Sequence, residues 1–169
     1  MPELERVLGP EHPDTLDARH ELAFWTGETG DAAAGRELFA ALLPVEERVL
    51  GAEHPDTLGA RHSLAYWTGQ AGDAAAARDQ FAALLPMEEE VLGAEHPYTL
   101  DTRANLAHWT GRAGDAAAAR DQFAALLPME ERVLGTEHPH TLTTRRNLAK
   151  LDREGRRWPC PEGGLAFRC

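Results

Sequence analysis

Eight histidines and twenty-eight acidic residues in a chain of 169 prompt a search for chemistry. Four of the histidines, His12, His54, His96 and His138, recur every 42 residues, each within Glu-His-Pro. Metal ligands must converge to about 2 Å from one ion. Residues one repeat apart in a helical stack stand roughly 10 Å apart or more, given packing distances of about 8–10 Å. The recurrence therefore suits a turn or helix cap, and no metal is expected. His138 and His140 are close, but two histidines make a weak site. Cys160 and Cys169 have no second pair to complete a zinc motif. The chain shows no nucleophile and base set and no Gly-rich phosphate loop. Its carboxylates lie on charge-dense helices, the pattern of solvated faces. The expectation is a protein that is not an enzyme and needs no cofactor.

The chemistry that remains is recognition. Residues 95–136 fall on 53–94, and those on 11–52, at shifts of 42. Between the later two copies, five differences fall at Gly59/Asp101, His62/Ala104, Ser63/Asn105, Tyr66/His108 and Gln70/Arg112. Their spacing is i, i+3, i+4, i+7, i+11, one face of an α-helix. Between the earlier two, the same stripe changes at Asp17/Gly59, Glu21/Ser63, Phe24/Tyr66 and Glu28/Gln70, with His20 beside it. Arg146, Asn147 and Lys150 continue it. The second helix of the later two copies differs only at Glu90/Arg132, so change is concentrated on helix A and chiefly on the stripe. That concentration reads as a diversified binding face rather than drift. The stripe runs from Asp17, Glu21 and Glu28 to Arg146 and Lys150, and such a gradient would orient an extended partner.

Two helices per copy position this stripe. In helix A, opened by His-Pro-Asp-Thr-Leu, proline occupies the first turn, where its missing N–H is no loss. Leu16, Leu22, Ala23 and Trp25, with their counterparts 42 and 84 residues on, are expected to form its buried side. Thr-Gly-x-x-Gly-Asp ends it through a left-handed glycine, and Asp31, Asp73 and Asp115 cap helix B. Helix B of the third copy is expected to bury Ala116, Ala119, Phe123, Leu126, Leu127, Val133 and Leu134. Pro44, Pro86 and Pro128 should kink it or split it in two.

The resulting organisation is residues 1–10 as the end of a truncated helix B, then repeats at 11–52, 53–94 and 95–136. Residues 137–153 form helix A of an incomplete fourth copy, and 154–169 an irregular tail. Trp158, Leu165 and Phe167 either cap the last helix or belong to a disordered segment.

The composition is that of an ordinary soluble chain, 43% hydrophobic and 27% charged. A net charge of -11 argues against nucleic acid or anionic membrane as partner. The charge is uneven, at about +4 from Thr143 to Cys169 and about -15 before it. MPELERVLGPEH has no apolar core and is no signal peptide. No apolar run approaches the roughly 18 residues of a membrane span. A reducing, cytoplasmic setting follows.

Leu106-Ala107, Gly114-Asp115, Ala119 and Phe123 resemble the repeating positions of tetratricopeptide repeats. At 42 residues rather than the usual 34, the period is closer to the long repeats of kinesin light chains and of arrays on bacterial NB-ARC-type ATPases. The resemblance covers Pro2 to about Ala149. It implies an all-α fold, a right-handed α-solenoid of antiparallel helix pairs, whose helix A face binds proteins or extended peptides. It also implies that an asparagine before Leu-Ala, here Asn105 and Asn147, clamps a ligand backbone. Glu21 and Ser63 replace it in the first two copies, so half that clamp is absent. The alternative is a module that self-associates through uncapped repeat ends.

Overall fold

The structure is a computed structural model that describes residues 2–155; the Trp158, Leu165 and Phe167 cap and the Cys160/Cys169 tail lie outside them. Eight helices follow one another: α1 (Pro2–Leu8), α2 (Pro13–Glu28), α3 (Ala32–Val49), α4 (Pro55–Gln70), α5 (Ala74–Val91), α6 (Pro97–Arg112), α7 (Ala116–Val133) and α8 (Pro139–Gly155). Each packs on its neighbours in sequence, and α2 touches α4 as α4 touches α6. The fold is an all-α solenoid. None of these helices is long and apolar enough to cross a membrane.

Local chemistry sets the helix ends. His12, His54 and His96 cap helix A, each accepting through Nδ1 the N–H two residues on at 3.3 Å; His138 makes the same contact at α8. The recurrent histidine is thus a helix cap, where an unprotonated ring nitrogen satisfies an orphan donor. Asp31, Asp73 and Asp115 do the same for helix B, accepting from Ala34, Ala76 and Ala118. At the far end of helix A, Gly72 takes φ +105°, and the following N–H of Asp73 returns to Thr68, closing the helix as a side chain with a Cβ could not.

The core consists of Leu16, Ala23 and their counterparts on helix A against Phe39, Phe81, Phe123, Leu42, Leu84 and Leu126 on helix B. Burying one such phenylalanine contributes about 2–3 kcal/mol. Four glutamate–arginine pairs, 14 residues apart, tie each helix B to the helix A that follows: Glu5–Arg19, Glu47–Arg61, Glu89–Arg103 and Glu131–Arg145, at 2.5 to 2.8 Å.

Three expectations need correction. Helix B is not split at proline: α3, α5 and α7 pass through Pro44, Pro86 and Pro128. These prolines are exposed, as are Ala40, Ala82 and Ala124 four residues earlier, so the carbonyl deprived of its partner faces water. Trp25 and Leu22 are not buried, at 59% and 44% exposed, whereas Trp67 and Trp109 are at 4% and 3%. The tryptophan does not fill its own repeat. It packs on the preceding one: a Cβ on Gly27 would lie 2.5 Å from Trp67, and one on Gly69 2.4 Å from Trp109. Trp25 has no such glycine ahead of it among the described residues. Finally, Ala116 and Val133 are exposed, while Ala119, Phe123 and Leu126 are buried and Leu127 and Leu134 partly so. The helix B surface that is buried is narrower than the sequence suggested, and it includes glutamates.

Candidate binding groove

Helix A presents the variable stripe along α2, α4, α6 and α8, because Leu16, Ala23 and their counterparts turn the opposite side inward. None of the sixteen stripe residues is buried. Two adjoining hollows run along it. The first, about 720 Å³, takes Asp17, His20 and Glu21 from α2, His62 and Ser63 from α4, and Asp101 from α6. The second, about 410 Å³, takes Tyr66 and Gln70 from α4, Asp101, Asn105 and His108 from α6, and Asn147 from α8. Phe24, Glu28, Arg112, Arg146 and Lys150 line neither. Phe24 stacks edge-on to Trp67 at 6.3 Å between centroids, and Lys150 approaches Glu154 at 4.0 Å.

Several stripe residues already have partners. Asp101 Oδ2 lies 3.1 Å from His62 Nε2. The Asn105 amide nitrogen donates to the Asp101 carbonyl at 3.1 Å, and stands 3.4 Å from His62 Nε2. The amide that the family resemblance assigns to a ligand backbone is therefore engaged inside the protein. Glu21 accepts the indole N–H of Trp25 at 2.9 Å. Burial lowers the pKa of His20, whose ring lies edge-on to Phe39 at 4.9 Å. Partial desolvation by its neighbours also lowers that of His108, although the residue as a whole is exposed, and the cationic Arg112 and Lys150 add to the effect.

The floor consists of residues that the stripe did not reveal. Glu46 and Glu88 line the first hollow and Glu130 the second, exposed by only 1%, 2% and 0%. They occupy one helix B position in three repeats. Desolvation pushes Glu46 up to about 7, with the carboxylates of Asp56 and Asp17 adding to the rise. Burial raises Glu88 and Glu130 as well; the neighbouring hydroxyls of Thr102 and Thr144 oppose the rise, although neither Thr102 Oγ1 nor either Glu130 oxygen is placed for a well-formed hydrogen bond. The residue 14 positions after Glu46 is Ala60, so it has no such hydroxyl. Asp56, His96, Tyr98 and His140 also line the hollows and come from the first turns of helix A or its cap, outside the compared stripe.

The chain was compared with known proteins. A family model described as tetratricopeptide repeat matches residues 15–56, 57–98 and 99–140. A crystal structure of a kinesin light chain-type protein of Podosopora anserina, with nearly identical tetratricopeptide-like repeats, is similar at 25% identity and TM-score 0.76. A variant of that protein gives 25% and 0.78; each match covers 92% of this chain and 74% of the other. BtubC of P. vanneervenii shares the fold at 15% identity and TM-score 0.73, with 92% and 70% covered. No curated protein matches.

Proposed function

Because the chain belongs to the tetratricopeptide repeat family, a family of non-catalytic interaction scaffolds, we propose that it binds an extended peptide or protein segment along the helix A groove. The observation that carries this is that eleven of the sixteen stripe residues line two adjoining hollows. Drift on an exposed surface would have no reason to follow them. The charge gradient from Asp17 and Glu21 to Arg146 and Lys150 would give a bound segment its direction.

Perturbed groups do converge in the first hollow. However, Ser63, the serine that lines it, hydrogen-bonds neither His20 nor His62 among the described residues, so no nucleophile is assembled for hydrolysis. Binding accounts for the arrangement better.

Gly59 offers the test. It lines the first hollow, and a Cβ there would meet only His20 Cε1, at 4.0 Å. Gly59→Trp should obstruct the groove while helicity by circular dichroism stays at the wild-type level. On an array of extended peptides, the variant should lose the binding that wild type shows. Retention of the same peptides at the same strength would sink the groove reading.

A second reading, end-to-end self-association, draws on Trp25, which is exposed at the position where Trp67 and Trp109 insert. The position that would receive it at the other end, 42 residues after Gly111, is Arg153. Its bulk opposes stacking in register. Light scattering over a range of concentrations decides, and a strict monomer removes this reading.

A further inference from the structure

We propose that the first hollow receives a cationic side chain, an arginine or lysine of an extended peptide laid across α2, α4 and α6. This rests on the groove reading above and adds the partner's chemistry.

The hollow brings together six carboxylates, those of Asp17, Glu21, Glu46, Asp56, Glu88 and Asp101, against three histidines, His20, His62 and His96, of which His62 lies beside Asp101, and neither lysine nor arginine lines it. A surface cluster of acids alone says little, since water solvates it. The floor is different. Glu46 and Glu88 are almost wholly buried, and Oε2 of each lacks any hydrogen-bond partner within the protein. A buried carboxylate oxygen left unpaired costs about 1–3 kcal/mol or more, and it persists where something else completes it. Elsewhere in the protein, glutamates that meet a following helix A are answered by arginine, as Glu47 is by Arg61 and Glu89 by Arg103. Glu46 and Glu88 stand one residue earlier and face the hollow instead. A guanidinium or ammonium entering there would supply the missing donors and offset the repulsion among Glu46, Asp17 and Asp56. Arginine fits well, because its fork of donors can address two carboxylates at once.

The second hollow differs in charge. Its floor is like that of the first, since both buried oxygens of Glu130 also lack a hydrogen-bond partner. Around it, however, stand a single further carboxylate, Asp101, with Asn105, Asn147, His108 and His140, and Arg146 and Lys150 lie on the same helix as Asn147. The cationic side chain therefore belongs over α2 and α4, with a neutral or acidic portion of the same segment toward α8.

The experiment titrates ¹⁵N-labelled protein with three probes: a decapeptide alternating arginine with alanine, the same peptide with glutamate for arginine, and spermidine. The arginine peptide should shift amides around Asp17, Gly59 and Asp101 saturably, at least tenfold more tightly than either other probe. Glu46→Gln with Glu88→Gln should weaken it tenfold or more, whereas Glu130→Gln should change it less than twofold. Asp17→Asn with Asp56→Asn, both exposed and unable to disturb the core, should weaken it severalfold. Equal affinity in wild type and the Glu46→Gln, Glu88→Gln variant, or spermidine binding as tightly as the peptide, overturns the proposal. Preferential binding of the glutamate peptide to the same amides also overturns it but leaves the groove reading standing. If neither peptide shifts any helix A amide, both readings fall together.

Discussion

The indole of Trp67 fills the space that a side chain on Gly27 would need, and Trp109 bears the same relation to Gly69. Consecutive units are therefore keyed by a large ring set against a missing methyl. Gly27→Ala and Gly69→Ala should each cost about 1–3 kcal/mol through overpacking, lowering Tm by several degrees in thermal circular dichroism. Gly59→Ala, in a helix interior with room around it, should raise stability by about 0.5–1 kcal/mol. Equal effects at all three sites would remove the keying role.

A mismatch in the middle repeat predicts a gain. Arg48 pairs with Glu11 at 3.0 Å, and Arg132 pairs with Glu95. The equivalent positions in the second copy are Glu90 and Glu53, two acids with no cation between them. Glu90→Arg should stabilise by a few tenths of a kcal/mol, up to about 1. Because the site is exposed, urea unfolding should show the gain shrinking in high salt.

Glu46 sets a pH dependence whose sign is unusual for a carboxylate. Its pKa is raised from 4.5 to about 7 in the folded protein, so the folded state binds more protons across that interval. Its contribution to stability is complete below about 4.5, falls as pH rises toward 7, and levels off above. The loss is on the order of 1–3 kcal/mol. Burial gives Glu88 and Glu130 the same sign. Glu46→Gln should flatten the slope of unfolding free energy between pH 5 and 7; an unchanged slope would assign it elsewhere.

The three repeats contain their own control for that shift. Thr102 and Thr144 moderate Glu88 and Glu130, and Ala60 stands in their place near Glu46. Ala60→Thr should bring the Glu46 pKa down, read by ¹³C titration of its side-chain carboxyl. A rise, or no movement, would mean that the hydroxyl does not control these groups.

The period, the helix pairs and the histidine and aspartate caps were all legible in the residues, because each depends on chemistry within a few positions. The stripe was legible as a surface, since its variation is helical in spacing. The buried glutamates were hidden by composition: Glu46 sits in Glu-Glu-Arg, which resembles any solvated helix end. A signal was present nonetheless. Phe39, Leu42 and Glu46 follow i, i+3, i+7, the spacing of one helix face, and the same holds for Phe81, Leu84 and Glu88. Trp25 failed for another reason. Periodicity treats three equivalent tryptophans alike, whereas burial depends on the unit before each. Asn105 bonds to Asp101 one turn back on the same helix, a contact its spacing allowed, whereas the approach of His62 comes from α4 and local pattern cannot convey it.

The four glutamate–arginine rungs form a one-sided ladder, each joining one helix B to the next helix A. Coupling of this kind passes disturbance only between adjacent units, so order should decay over a finite correlation length rather than vanish at once. The amides of α4, α5 and α6 lie between helices packed on both sides and should exchange slowest with deuterated solvent. Those of α1 and α2 should exchange first, like the loose end of a spring with its middle clamped.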